Sequence, residues 1–250
     1  MLPRFLADAI DSAAATAHLG ADETRHLTQV LRLGAGDEVA VFDGMGSEFH
    51  ARVDRVARDG ADLRLITPLA SAPEPSVQLT LAQAVLKGDK MDDVVRDATM
   101  MGVSVIVPLI TDHTVAHVRP GTAPERWTRI AIASAKQCRR AVVPRIDPAV
   151  HFRDWLVTDQ SSLQILLTEP SVADAGKPGL SRFPGSAEKP GLSQLSATLG
   201  VGPEGGWSAA EVTAAMSAGF KTLTLGRRTL RADAVAIVAI GVLQYEWGDL

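Results

Sequence analysis

Between residues 79 and 107 the apolar residues change period twice, and nothing else in the chain constrains its fold as tightly. Residues 79–85 alternate as a strand does. Behind Asp89, a residue suited to an N-cap, Met91, Val94, Val95 and Ala98 recur on one helical face, and Gly102 supplies a stop. Residues 103–107 then form a short apolar run suited to a buried strand. Strand, helix and strand in so short a span make a βαβ unit, which implies a right-handed crossover and parallel strands. The alternation continues downstream. We expect helices over 127–138, entered through Pro124, and over 151–157, a strand over 163–167 and another over 198–201. A helix over 209–217 stopped by Gly219, a strand over 221–225 and a long apolar helix over 232–245 complete the series. The expectation is an α/β domain with a parallel sheet.

The first seventy residues read differently. A short amphipathic helix over 21–31, carrying Leu27, Val30 and Leu31 and stopped by Gly34, precedes alternating strands over 38–42, 49–56 and 63–66. Asp43-Gly44-Met45-Gly46 between the first two strands is a hairpin signal. The Pro/Ala/Ser run at 68–75, PLASAPEP, marks the expected boundary between a small β domain at 1–70 and the α/β domain at 76–250. Residues 170–196 are rich in Pro, Gly and Ser and contain Lys-Pro-Gly-Leu-Ser twice, at 177 and 189. Such a segment buries little surface and reads as a flexible loop, too short in its duplication to be a repeat architecture.

A length of 250 residues with 46% hydrophobic and 22% charged side chains allows a proper core in each domain. No apolar run approaches the roughly 18 residues of a membrane span, and the start lacks the apolar stretch of a secretory signal, so a cytoplasmic protein is expected. The one cysteine, Cys138, has no internal disulfide partner. His113 and His117 lie four apart without a third ligand nearby, so no metal site is expected. The net charge of −4 argues against nucleic acid until its distribution is considered. Residues 1–70 hold seven Lys/Arg against eleven Asp/Glu, whereas 119–145 holds seven basic residues against Glu125 alone. A second acid-free basic stretch runs through Lys221, Arg227, Arg228 and Arg231. One such run suits a solvated helix face; two, rich in Arg, tilt towards phosphate or RNA contacts.

Ligands of open parallel sheets sit at the carboxyl ends of the strands, and three loops leave such ends: 168–170, 202–207 and 226–231. The middle loop satisfies G-x-G-x-x-G over 200–205, a dinucleotide pattern. Yet no Lys-Ser/Thr follows the glycines, Pro203 donates no N–H, and Glu204 puts a negative charge where an anion would lie. Ser208 and Glu211 form a capping box that starts the next helix. A cationic or neutral ligand suits the turn better than a phosphate. Two readings stay open beside that: a tight connection without a ligand, and an NADP site in which Arg227 or Arg228 meets the 2′-phosphate.

The stretch GPEGGWSAAE followed by LTLGRRTLRADAVAIVAIGVLQYEWGDL resembles the C-terminal signature of the RsmE family of the SPOUT superfamily, the small-subunit rRNA uridine-N3 methyltransferases. RHLTQVLRLGAGDEVAVFDGMG is similar to that family's PUA-like β-barrel, LKGDKMDDVVRDATMMGVSVIVPLIT to its Lys-Gly-x-Lys-Met helix, and AKQCRRAVVPRI to its Gln-x-x-Arg segment. Three departures stand out: Arg231-Ala232-Asp233-Ala234-Val235 in the last motif, Asp112-His113 where an arginine is common, and Lys136 where a glutamate is usual.

The resemblance implies a PUA-like barrel followed by a trefoil-knotted SPOUT domain. It also implies S-adenosylmethionine as cofactor, 16S rRNA or the small ribosomal subunit as substrate, and a homodimer. For the cofactor it implies Thr168, Glu169, Val201, Gly202, Pro203, Glu204, Gly205, Gly206, Leu225, Gly226, Leu230, Arg231 and Ala234. Arg231, with Asp233 or Glu204 as proton acceptor, is implied for catalysis, and Arg25, Arg32, Arg119, Arg139, Arg140 and Arg145 for RNA. The altered 231–235 motif keeps a catalytically inactive RNA-binding protein as an alternative.

Overall fold

The computed structural model describes residues 2–116, 118–121, 125–170 and 196–250. The loop expected at 170–196 falls, apart from its two end residues, outside the described residues, as do His117 and Pro124. The chain divides into two compact units, Met1–Glu74 with Ile132–Val143, and Pro75–Ala131 with Pro144–Leu250.

The first unit holds β1 (Arg4–Leu6), β2 (Ala9–Asp11), β3 (Thr16–Leu19), α1 (Ala21–Arg25), β4 (Glu38–Phe42), β5 (Glu48–Val56) and β6 (Ala61–Pro68). They form one sheet in the order β1-β4-β5-β6-β3-β2, antiparallel except where β1 lies parallel to β4. The expected 21–31 helix is α-helical only to Arg25 and continues as a π-helical turn over His26–Val30. There the Leu31 N–H reaches back to the His26 carbonyl at 3.1 Å. That turn buries Leu27, which joins Phe5, Leu19, Val39, Val41, Val53 and Leu63 in the core.

Residues 132–143 complete the same unit. The Arg4 guanidinium donates to the carbonyls of Ala135, Lys136 and Arg140 at 2.8–3.0 Å and pairs with Glu48, whose side chain is 6% exposed. Lys136 pairs with Glu23, and the Arg140 Nε donates to Glu74 at 2.9 Å. A short bridge joins Gly44 to Val142.

In the second unit run β7 (Gln78–Ala84), α2 (Lys90–Met100), β8 (Val105–Ile110), β9 (Arg145–Ile146), β10 (Val150–His151), α4 (Phe152–Leu156), β11 (Leu163–Leu167), β12 (Ser196–Val201), α5 (Ala209–Ser217), β13 (Lys221–Leu223) and α6 (Ala232–Trp247). Between them α3 (Glu125–Cys138) begins in this unit and ends in the first. The sheet order is β10-β8-β7-β12-β11-β13, with β9 also on β8, and every pairing is parallel, as the βαβ pattern requires.

Met91, Val94, Val95 and Ala98 of α2 are all buried, as their spacing predicts. Gly102 ends that helix at φ +85°, in the left-handed region, where an added Cβ would come within 2.4 Å of the Pro75 ring. Phe152, Trp155 and Phe220 fill one face of the sheet, with Trp207 packed on Phe152 at a ring separation of 4.7 Å.

Candidate active site

The register of the central strands decides where the site lies. Leu167 of β11 pairs with Val201 of β12 and with Leu223 of β13, so three strands end in one row. Their outgoing loops therefore emerge at one edge of the sheet, where open α/β folds bind ligands. Together they enclose a cavity of about 280 Å³.

Ten of the thirteen residues expected around the cofactor line this cavity. Thr168 and Glu169 come from the first loop, Val201, Gly202, Pro203, Glu204 and Gly206 from the second, and Leu225, Leu230 and Arg231 from the third. Gly205, Gly226 and Ala234 do not line it. Gly205 backs onto His113, and Ala234 lies on the exposed face of α6. The structure adds residues the expectation omitted: Leu167, Pro170, Trp207 and Arg228, then Thr229, Ala232 and Val235, and Lys90 from the start of α2.

The glycine turn is built tightly. The Gly206 N–H donates to the Pro203 carbonyl at 3.0 Å, closing a four-residue turn, and Gly206 has φ +69°. Above Gly202 an added Cβ would sit 3.1–3.3 Å from the Trp207 indole, whose Nε1 donates to the Leu167 carbonyl at 2.8 Å. Any larger residue at 202 would displace the indole that joins two of the loops. Ser208 caps α5 through the expected box: its Oγ accepts from the Glu211 N–H at 3.2 Å, and Glu211 accepts from the Ser208 N–H at 2.9 Å.

Glu204 is tied to α2. Its Oε1 accepts from the Lys90 Nζ at 2.7 Å and from the Lys87 N–H at 3.2 Å. Burial pushes the Glu204 carboxyl up, but the hydrogen bonds from Lys90 and from the backbone of Glu204 and Lys87 outweigh it and hold the group below its ordinary value. The acid is thereby kept as an anion and made a weaker base. Arg231 stands at the N-cap of α6, and its Nε and Nη2 pair with the two oxygens of Asp233 at 3.0 and 2.9 Å. That bidentate pair fixes the guanidinium plane and leaves the remaining N–H groups for a ligand.

The basic residues sort by burial. Arg140 is 3% exposed and pairs with Glu74, so the expectation that it meets RNA phosphates is corrected: its charge is spent inside the first unit. Arg119 and Arg139 are exposed, the latter at φ +66°. Arg25 is exposed beside Asp22, and Arg32 is exposed at φ +58°. Arg145 is exposed but donates to Asp147 at 2.6 Å, which raises its pKa. His113, noted for its spacing from His117, places Nδ1 3.1 Å from the carbonyls of both Gly205 and Gly206. Among the described residues no three His, Cys, Asp or Glu side chains gather as metal ligands.

Residues 73–244 match the model of an RNA methyltransferase domain, and residues 19–66 that of an RNA methyltransferase PUA domain. The ribosomal RNA small subunit methyltransferase E of a Synechocystis species is 31% identical, over 90% of this chain and 72% of its own. The protein of the same name from Rickettsia conorii is 30% identical over 89% and 86%. Its counterpart from Neisseria gonorrhoeae, solved bound to S-adenosyl methionine, is 28% identical, covers 99% of this chain and 98% of its own, and superposes with a TM-score of 0.83. With a parallel sheet whose strand ends form the cavity and a family match over most of its length, the chain belongs to the RNA methyltransferase family that includes the ribosomal RNA small subunit methyltransferase E proteins.

Proposed function

We propose that this chain transfers a methyl group from S-adenosylmethionine to N3 of a uridine in small-subunit ribosomal RNA. The carrying observation is the cavity where the three strand-end loops meet, because its donors suit that cofactor. Its glycine turn offers backbone rather than side chains, the Glu169 carboxylate lines it while Glu204 is paired with Lys90, Arg228 and Arg231 stand on its third loop, and no Lys-Ser/Thr follows the glycines. Glu169 suits the cofactor's sulfonium and ammonium, and the two arginines suit its carboxylate or the RNA. Gly202, Gly206 and Leu225 would contact the cofactor, with Leu230 and Val235 closing its apolar side.

When bound, S-adenosylmethionine supplies an electrophilic methyl for in-line displacement by the uracil nitrogen. The uracil N3 carries a proton at neutral pH, so the base must be unpaired before it reacts. Arg231, oriented by Asp233, stabilises the negative charge that develops on the uracil oxygens as that proton departs to solvent. Asp233 and Glu204 are each held by a cation, which suits both to positioning more than to proton abstraction.

Arg119 and Arg139, exposed, with Arg25, Arg32 and Arg145 beside them in the basic set, are assigned to RNA phosphates. The expected split at 1–70 and 76–250 carries over with one change, residues 132–143 going with the first unit, and the two units would divide RNA docking from catalysis, with the work taking place in the cytoplasm. The trefoil knot expected of the family belongs to this reading. A homodimer belongs to it as well. Ala234, Val238, Val242 and Tyr245 form a stripe along α6, with Val238 47% and Tyr245 71% exposed, an apolar face that a second copy would cover.

Two measurements test the reading. Calorimetric titration should show binding of S-adenosylmethionine and none of NADPH. Small subunits from a strain lacking the enzyme should accept labelled methyl groups at a uridine N3, while subunits already modified should not. Binding of NADPH instead, or cofactor binding without methyl transfer, rejects the proposal in favour of the oxidoreductase or of an inactive RNA-binding protein.

A further inference from the structure

We infer that His113 is a positioning residue for the cofactor turn, acting through hydrogen bonds from its Nδ1 to the Gly205 and Gly206 carbonyls. The inference rests on the proposed cofactor site and names a residue that does not itself line it. Three observations converge. Nδ1 lies 3.1 Å from both carbonyl oxygens, so it must carry the proton and donate to the pair. The approach is close: a Cβ on Gly205 would meet the His113 Cβ at 3.1 Å, so the histidine packs on the turn as well as bonding to it. The histidine is itself held, because its neighbour Asp112 is anchored twice at the start of α5. The Asp112 N–H donates to the Glu211 Oε1 at 2.9 Å, and the Ser208 Oγ donates to the Asp112 Oδ2 at 2.6 Å.

The loop after β8 thus carries a fixed donor to one shoulder of the turn, while Lys87 and Lys90 hold Glu204 on the other. Gly206 is the residue that matters, since it lines the cavity at φ +69° and its carbonyl orientation sets where the neighbouring peptide groups point. Without His113 the turn keeps its single internal bond from Gly206 to Pro203 and samples other peptide orientations. A ligand would then have to order it on binding.

Two substitutions separate donation from packing. His113→Asn keeps an N–H donor attached at Cγ, close to the position of Nδ1. His113→Leu keeps apolar bulk against Gly205 and removes the donor. For the leucine variant we expect the Kd and KM for S-adenosylmethionine to rise about tenfold, with kcat at saturating cofactor and the Tm nearly unchanged, as loss of one or two hydrogen bonds implies. The asparagine variant should stay within about threefold of the parent. Amide hydrogen exchange of residues 204–207 in the cofactor-free protein should accelerate in the leucine variant and not in the asparagine variant. If both variants bind the cofactor like the parent, or both weaken alike, the inference fails while the proposed function stands. If the parent itself binds no S-adenosylmethionine, the proposed function fails. The exchange rates then decide on His113 alone: equal rates in all three proteins overturn it, and the expected contrast upholds its hold on the turn.

Discussion

Arg231 and Glu204 line the same cavity, and each is paired with a neighbour of opposite charge, yet the two pairs act on different events. Arg231→Ala should leave S-adenosylmethionine affinity within a few-fold and lower turnover by about 100- to 1,000-fold, the usual cost of one donor to developing negative charge. Single-turnover methyl transfer with preformed cofactor complex checks it. Glu204 reports on stability instead. Its carboxyl sits below the ordinary value of 4.5. The contribution of its contacts with Lys90 and Lys87 is therefore full at neutral pH and is lost as the pH falls through the lowered value. Glu204→Gln should cost about 0.5–1 kcal/mol at pH 7, typical of a partly exposed pair, and progressively less as the pH falls through the lowered value. Denaturant titrations across a series of acidic pH values measure the difference.

Residues in a local pattern were legible beforehand: Ser208 with Glu211, and Glu204 inside its glycines. Arg140 was not. In the sequence it shares a basic run with Arg139, and only Glu74, sixty-six positions away, shows that one faces water and the other does not. His113 stands out in the sequence as half of a histidine spacing and as a departure from the family motif, and neither points to its bonds, because its carbonyl partners lie some ninety residues on.

Elements with a long, regular period were readable to within a few residues. The spacing of apolar residues marks α2, β11 and β4, the Ser208–Glu211 box and Gly219 bound α5, and the long apolar stretch over 232–245 marks α6. Short strands escaped: β1, β2, β3, β9 and β10 have two to four residues each, too few to show alternation, and exist because a neighbouring strand pairs with them. The π-helical turn after α1 has no propensity signal either, although Leu27 within it is buried in the core. At this scale the cap of α5 is the sharpest test. Ser208→Ala removes the bond to the Glu211 N–H and the one to Asp112, and should cost about 1–2 kcal/mol by equilibrium unfolding.

For the molecule as a whole, the fold class followed from the alternation of strands and helices, but the strand order β10-β8-β7-β12-β11-β13 did not, because local spacing says nothing about which strands become neighbours. Two whole-molecule expectations follow. Val238→Glu places a charge in the exposed stripe of α6 and should convert a dimer to a monomer by sedimentation. Affinity for ribosomal RNA should fall steeply between about 50 and 200 mM salt if the exposed arginines neutralise phosphates, and a flat response would return them to solvated surface. Finally, the first unit is discontinuous, since residues 132–143 belong with Met1–Glu74. During synthesis the first unit is completed only once residue 143 has left the ribosome, well after the first βαβ unit has emerged. A nascent chain stalled before that point has Arg4 without the Ala135, Lys136 and Arg140 carbonyls it donates to, and Glu23 without Lys136.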